Sequence, residues 1–125
     1  MYNPYQKYKE QSLTTLTPAE IVLKLFDEAV KQIKLAINFI EEKDIASANK
    51  AIVKTEDIVN ALKFNLDERY EISKELETLY THIYNSLVEA NLKKDTQMLG
   101  EIHSILFELR DTFTQANKLS KGNNI

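Results

Sequence analysis

The fold is decided by residues 17–42, which read TPAEIVLKLFDEAVKQIKLAINFIEE. Thr17 suits the N-cap of a helix, Pro18 its first position, and Glu20 the third position of a capping box. Beyond them, apolar residues recur at steps of three and four, the period of an amphipathic helix. The shared face collects Val22, Leu25, Phe26, Ala29, Ile33, Ala36, Ile37 and Ile40. This stretch predicts a first helix over about residues 18–42.

Three further apolar stripes follow, over about residues 45–66, 70–93 and 96–118. Asp44 and Asp95 suit N-cap positions at two of the junctions, and residues 65–68 form a weaker boundary without glycine or proline. No proline follows Pro18, and Gly100 is the only glycine before the tail. Gly100 lies inside the fourth stripe at a cost of about 1 kcal/mol relative to alanine, and it would allow a neighbouring helix to approach closely.

Four stripes of similar length with short links predict an all-α protein, an antiparallel four-helix bundle. The predicted bundle domain covers residues 17–118. Residues 1–16 precede it as an N-terminal arm, and residues 119–125 follow as a flexible tail. The arm carries apolar anchors, namely Tyr2, Tyr5, Tyr8, Leu13 and Leu16.

Composition excludes several classes of function. The chain has 125 residues and no cysteine, which rules out disulfides and thiol chemistry. Its 16 basic and 19 acidic residues are finely mixed, with a net charge of −3, so neither a nucleic-acid footprint nor a basic membrane-binding face is present. No secretory leader is visible, and no apolar run approaches the roughly 20 residues that span a bilayer. We therefore expect a cytoplasmic protein without membrane insertion.

Catalytic and metal-binding patterns are missing as well. A di-iron bundle needs Glu-x-x-His motifs, but Leu79 and Gly100 stand three residues before the two histidines, His82 and His103. The carboxylates, among them Glu56 and Asp57, alternate with lysines and are expected to form a solvated face. No phosphate-binding loop or nucleophile elbow occurs. We predict a protein that is not an enzyme and that has no metal site or cofactor.

The informative residues are apolar side chains that lie off the stripes: Leu35, Phe39, Val53, Tyr84, Val88 and Phe107. One interpretation is that they are ordinary scattered surface residues, or that the arm covers some of them. The other is that they line a groove for an amphipathic helix of a partner protein. Tyr5 and Tyr8 of the arm allow two similar interpretations, since they either pack on the end of the bundle or occupy the partner's groove.

The whole chain resembles the FliS family, the flagellar export chaperones of flagellin. The resemblance is carried in colinear order by residues along the entire length: Asn3-Pro4-Tyr5, Tyr8, Leu16-Thr17-Pro18-Ala19-Glu20, Leu25-Phe26-Asp27, Asn49, Ile52, Lys54, Ile58, Leu62, Leu79-Tyr80, Leu87-Val88-Glu89-Ala90-Asn91-Leu92-Lys93-Lys94-Asp95, Leu109-Arg110-Asp111 and Gln115-Ala116. Phe113 departs from the pattern, because family members often carry tryptophan there.

The resemblance implies a function. It implies a cytoplasmic chaperone that binds the disordered C-terminal segment of flagellin, prevents premature polymerisation and delivers the subunit to a component of the type III export gate. It also implies that the arm, through Tyr5 and Tyr8, covers the client groove when that groove is empty. Two alternatives remain open: a helical adaptor or regulator without a flagellin client, and a structural homodimer paired through the groove or the arm.

Overall fold

The computed structural model describes residues 16–122, with side chains as far as residue 119. Four helices occupy this range: α1 (Pro18–Glu41), α2 (Ile45–Phe64), α3 (Ile72–Lys93) and α4 (Thr96–Gly122). No strand occurs among the described residues. The prediction of an all-α four-helix bundle is confirmed.

The helices are arranged in a ring. Helix α1 packs between α2 and α4, and α3 closes the ring by packing against both α2 and α4, with its contact to α4 the least extensive. Chain direction alternates between neighbours because every connection is short. One end of the bundle therefore carries the α1–α2 and α3–α4 junctions, and the other end carries the α2–α3 loop together with the start of α1 and the end of α4.

A single apolar core fills the ring. Its fully buried large side chains come from all four helices, and they include Phe26, Ile33, Ile52, Leu62, Tyr80, Ile83, Leu87, Leu99 and Leu106. Each such aliphatic or aromatic side chain stabilises the fold by about 1.5–3 kcal/mol through its removal from water. Phe26 lies at the centre of an aromatic group, with its ring centroid 6.4 Å from that of Tyr80 and 5.3 Å from that of Phe113.

Two junctions of similar construction form what we call the closed end, residues 39–47 and 90–98. Lys43 and Lys94 adopt left-handed conformations, with φ of 64° and 51°. The amide after each lysine donates to a carbonyl five residues back, Asp44 to Phe39 over 2.8 Å and Asp95 to Ala90 over 3.0 Å. These bonds satisfy orphan carbonyls at the helix ends, as in a Schellman motif.

The aspartate of each junction then starts the next helix. A carboxylate oxygen of Asp44 accepts a hydrogen bond from the Ser47 amide over 3.2 Å. Asp95 accepts one from the Met98 amide over 3.1 Å. Each junction thus ends one helix and caps the next within three or four residues, as the sequence pattern predicts.

The opposite end, which we call the open end, consists of residues 18–23, 64–72 and 113–119. The chain leaves α2 at Phe64, so Leu66 of the second apolar stripe lies in the loop rather than in a helix. Glu71 precedes α3 and makes no side-chain capping hydrogen bond. Large apolar side chains remain exposed here: Phe64, Tyr70, Ile72 and Leu119 at 91, 63, 60 and 69 %.

Two features of α4 differ from the expectation from sequence. The helix continues to Gly122, past the predicted end at residue 118, and residues 123–125 of the predicted tail lie outside the described part. Gly100 does not admit a close neighbour, because a methyl group placed on it would meet no atom within 4 Å. The glycine stands in open space on the helix surface, and helix packing does not require it.

Candidate partner-binding surface

Helices α2 and α3 meet along a line that we call the α2–α3 seam, formed by Asn49, Val53, Glu56, Asn60 and Lys63 of α2 and by Thr81, Tyr84, Val88 and Asn91 of α3. Two polar contacts fix its register. The amide nitrogen of Asn91 donates to the Asn49 side-chain oxygen over 2.8 Å. The Lys63 ammonium donates to the Thr81 hydroxyl over 2.9 Å. The two antiparallel helices are thus held together near both ends of the seam.

Between these contacts the seam is largely apolar and open to solvent. Val53 is 40 % exposed and Val88 is 38 % exposed, while Tyr84 is half-buried and packs against the core. The hydrogen bond between Asn49 and Asn91 sets the register of the two antiparallel helices. Val53, one turn after Asn49, and Val88, one turn before Asn91, therefore lie at the same level. The structure thus brings together three of the residues singled out from the sequence.

Towards the open end the seam widens into a hollow of about 440 Å³. Its walls carry one cation and two carboxylates, from Lys63, Glu68 and Glu77, and its floor contains the half-buried Leu66. Phe64, the most exposed large apolar residue that the structure describes, stands on its rim. The seam therefore continues from a narrow apolar stretch into a wider, partly acidic hollow.

Glu56 lies on the seam and departs from the expectation of a solvated carboxylate. Only 9 % of its surface is exposed. Burial raises the pKa of this carboxyl above its usual value, and the negative charge of the neighbouring Asp57 raises it further. Its charge alone predicts a solvated position. Its spacing, seven residues from both Asn49 and Lys63, identifies the face of α2 on which it lies but not the depth of its side chain.

A second apolar cleft of about 190 Å³ lies at the open end, among the start of α1, the α2–α3 loop and the end of α4. Val22, Leu66, Leu76, Tyr80 and Phe113 contribute to its walls. Burial raises the pKa of Tyr80 to about 12, so its phenol stays protonated at neutral pH. The cleft offers apolar surface beside the point where residues 1–15 join the bundle.

Phe107 forms a separate patch on α4. It is 46 % exposed, the Arg110 guanidinium carbon lies 4.5 Å from its ring centroid, and His103 stacks on it at 6.3 Å. Arg110 also pairs with Asp27 of α1 over 3.4 Å. Burial lowers the pKa of His103, assisted by the positive charges of Lys34 and Arg110, so the imidazole is neutral at neutral pH.

The remaining residues singled out from the sequence lie elsewhere. Leu35 and Phe39 of α1 are both half-buried, and Phe39 packs against the core. Tyr5 and Tyr8 lie outside the described residues. The sequence pattern does not predict the exposed apolar group Phe64, Tyr70 and Ile72, because residues 65–68 show only a break between helices. It does not predict the exposure of Leu92 either, a residue of the closed end with 83 % of its surface exposed.

No helix in the described range is both long enough and apolar enough to cross a bilayer. Within residues 16–122, histidine and carboxylate side chains also form no group of three that could hold a metal ion.

Comparison with known proteins gives a consistent result along the whole chain. The family model described as flagellar protein FliS matches residues 1–120. The flagellar secretion chaperone FliS of Bacillus subtilis is 37 % identical over 114 residues, which cover 91 % of this chain and 86 % of that protein. The proteins of the same name from Salmonella typhimurium and Vibrio cholerae are 29 % and 26 % identical, over 85 % and 92 % of this chain and 81 % and 89 % of theirs.

Proposed function

This chain belongs to the family of the flagellar protein FliS, and we propose that it is the secretion chaperone of flagellin in its cell. It binds the disordered C-terminal segment of flagellin in the cytoplasm and prevents the segment from polymerising early. It then delivers the subunit to a component of the flagellar type III export gate. The proposal combines the full-length family match with a surface suited to an amphipathic helix.

The α2–α3 seam is the observation that carries the proposal. An amphipathic helix docks into a groove through apolar side chains at steps of three, four and seven, and its ends are fixed by polar contacts. Val53, Tyr84 and Val88 provide apolar surface between two helices whose spacing is already set by the Asn49–Asn91 and Lys63–Thr81 hydrogen bonds. A preformed groove spares the chaperone the cost of rearrangement, so only the client has to become ordered.

Coupled folding also explains how the client is released. A disordered segment that becomes helical on binding covers a large surface, yet part of the interaction energy is consumed by its ordering. The net affinity is therefore modest for the area that is covered. A modest affinity suits a chaperone that has to release flagellin to the export machinery.

The proposal also assigns a role to the N-terminal arm when no flagellin is bound. Residues 1–15 join the bundle at the open end, beside the apolar cleft lined by Leu66, Tyr70 and Phe113. Tyr5 and Tyr8 are within reach of the bundle surface, since an extended chain spans roughly 3.3 Å per residue. We propose that the arm shields client-binding surface and is displaced when flagellin binds.

The decisive experiment is calorimetric titration of the C-terminal segment of flagellin from the same bacterium into the full-length chain, with circular dichroism recorded alongside. Saturable binding, a gain in helicity and a negative heat-capacity change are the expected results. If the folded protein gives neither heat nor added helix, flagellin is not the client, and an adaptor with another partner becomes the better hypothesis.

The seam itself is tested by the charged variants Val53→Asp and Val88→Asp. We expect each to weaken flagellin binding about tenfold or more, because a carboxylate is placed on apolar surface that the client covers. Stability should change by less than about 0.5 kcal/mol, since both side chains are partly exposed already. Thr78→Asp, which adds the same charge to an exposed position on α3, is the matched control. Equal losses of affinity and helicity would show that Val53 and Val88 belong to the core.

A further inference from the structure

Three residues of α2 form a row along the α2–α3 seam. Asn49, Glu56 and Lys63 are spaced seven residues apart, and side chains at this spacing lie on one face of a helix, two turns from each other. Both outer members reach across to α3, Asn49 to Asn91 and Lys63 to Thr81. Glu56 therefore faces the same neighbouring helix from the middle of the row.

Glu56 differs from the outer members because no described residue forms a hydrogen bond or an ion pair with its carboxylate. Only 9 % of the residue is exposed, and its carboxylate oxygens still reach solvent, because no buried side-chain oxygen within residues 16–119 lacks a partner. The ion pairs within residues 16–122 engage Glu28, Asp67, Glu89 and Asp27, but not Glu56. No hydrogen bond to Glu56 occurs within that range either. Solvent therefore hydrates this carboxylate while the seam is empty, and a segment that covered it without supplying a donor or a cation would bury it at a cost in free energy.

The surroundings of Glu56 contain little positive charge. Asp57 is the next residue, and Glu68 and Glu77 line the hollow towards the open end. Among the described residues, Lys63 is the only cation in that hollow's wall, and its ammonium group donates to Thr81. The hollow beside the seam therefore carries more negative than positive charge, and a segment that covers the seam would bury the Glu56 carboxylate completely. Such burial is tolerated when the incoming segment supplies a hydrogen-bonded cation.

We propose that Glu56 is a specificity-determining residue of the α2–α3 seam, whose carboxylate accepts a hydrogen-bonded ion pair from a lysine or arginine side chain of the bound segment. This inference rests on the proposed function, because it takes the occupant to be the C-terminal segment of flagellin. Apolar contacts from Val53, Tyr84 and Val88 hold the helix of the client, and Glu56 fixes its register along the seam. A slipped register would leave the carboxylate buried and unpaired.

The test compares Glu56→Gln with Asp57→Asn in the full-length chain, with the flagellin C-terminal segment as the titrant. Both variants remove one negative charge from adjacent positions of α2, but Asp57 is exposed. We expect Glu56→Gln to weaken binding about tenfold or more, the usual effect of a lost charge-assisted hydrogen bond, and Asp57→Asn to change it less than about twofold. Glutamine fits the site of glutamate, and thermal unfolding of both variants verifies that the bundle is intact.

A second arm identifies the cation. Each lysine and arginine of the flagellin segment is replaced singly by glutamine, and binding is measured to wild-type chaperone and to Glu56→Gln. One replacement should weaken binding to the wild type as much as Glu56→Gln does, and should have no further effect on that variant.

The outcomes separate the two proposals. If the wild-type chain does not bind the segment, the flagellin proposal and this one fall together. If the wild type binds and Glu56→Gln binds equally well or more tightly, the proposed function stands and the role of Glu56 is disproved. If Glu56→Gln weakens binding but no cation of the segment is coupled to it, the ion pair is disproved.

Discussion

The two ends of the bundle differ in how their helix termini are capped and in how much apolar surface they expose. At the closed end, Lys43-Asp44 and Lys94-Asp95 each reverse the chain in a few residues, and backbone and carboxylate groups satisfy the helix termini. At the open end, seven residues separate α2 from α3, the first turn of α3 has no side-chain cap, and large apolar side chains remain in water. Local hydrogen bonds thus satisfy the helix termini at the closed end, although Leu92 and Ile45 remain 83 and 48 % exposed there, whereas the open end keeps a larger group of apolar side chains uncovered beside a cleft.

This difference is the reason that we propose the open end and the adjoining seam as partner-binding surface. A junction that satisfies its own hydrogen bonds leaves few polar backbone groups for a partner, while covering exposed apolar surface beside a cleft gains free energy. The α2–α3 seam opens into its hollow towards the open end, and residues 1–15 enter the bundle at the same end. A client docked on the seam and an arm folded back from residue 16 would both cover this end, which is the physical basis for proposing that one displaces the other.

The prediction with the largest expected effect tests whether the aromatic side chains at the open end contribute to the packing of the core. Phe113→Ala removes a ring that packs 5.3 Å from Phe26 and lines the cleft, and we expect it to destabilise the protein by about 2–4 kcal/mol. Phe107→Ala, on the same helix but at an exposed position, should cost no more than about 1 kcal/mol. Urea unfolding measures both variants. Equal losses would mean that the aromatic group contributes little and that the open end is loosely packed.

The sequence predicted the two ends unequally. The closed end could be located because aspartate after a helix-ending lysine has one common use, the next N-cap. The open end lacks such residues, and the exposure of Phe64, Tyr70 and Ile72 depends on how far the loop stands from the helices around it. Glu56 could not be recognised either, since its burial results from the approach of α3. Periodicity identifies the face of a helix, but the depth of each side chain is fixed only by the neighbouring helix.

The next effect is smaller and concerns the closed end. Lys43 and Lys94 occupy left-handed conformations that suit glycine better. We expect Lys43→Gly to stabilise the protein by about 0.5 kcal/mol. Glycine relieves the backbone strain of the left-handed conformation, but its greater backbone freedom in the unfolded chain offsets part of that gain. Lys94→Gly should gain less, because the Lys94 ammonium group donates to the backbone and side-chain oxygens of Asn91 over 2.6 and 2.7 Å.

Thermal unfolding of the two glycine variants, with Lys43→Ala as the control, tests this difference. Alanine removes the lysine side chain but keeps the left-handed strain, so it should not stabilise the protein. If Lys43→Gly also fails to stabilise it, strain at this junction is negligible and the closed end owes its shape to the helices that it joins.

The prediction with the smallest expected effect concerns one solvent-accessible carboxylate at each end and its contribution to the pH dependence of stability. Hydrogen bonds from Ser47 hold the pKa of Asp44 below its ordinary value of 3.8, and hydrogen bonds from Arg69 lower the pKa of Asp67 to about 2. A carboxyl whose pKa is lower in the folded than in the unfolded state stabilises the fold above its unfolded pKa. That contribution is lost as the pH falls through the folded pKa. Asp44→Ala and Asp67→Ala should therefore differ from the wild type at pH 7 and converge with it in acid. Asp67 should converge at the lower pH.

The two variants should also differ at neutral pH, although Asp67 shows the stronger shift. Asp44 holds the first turn of α2, a helix packed against α1 and α3, whereas Asp67 pairs with its neighbour Arg69 in a loop where Arg69 is exposed and Asp67 is partly exposed. An exposed ion pair between loop residues adds little to stability, while a lost N-cap frees the start of a helix. Melting temperatures at pH 7 should thus fall more for Asp44→Ala than for Asp67→Ala. The reverse order would mean that the ion pair organises the open end, and that this end is more firmly built than its exposed side chains indicate.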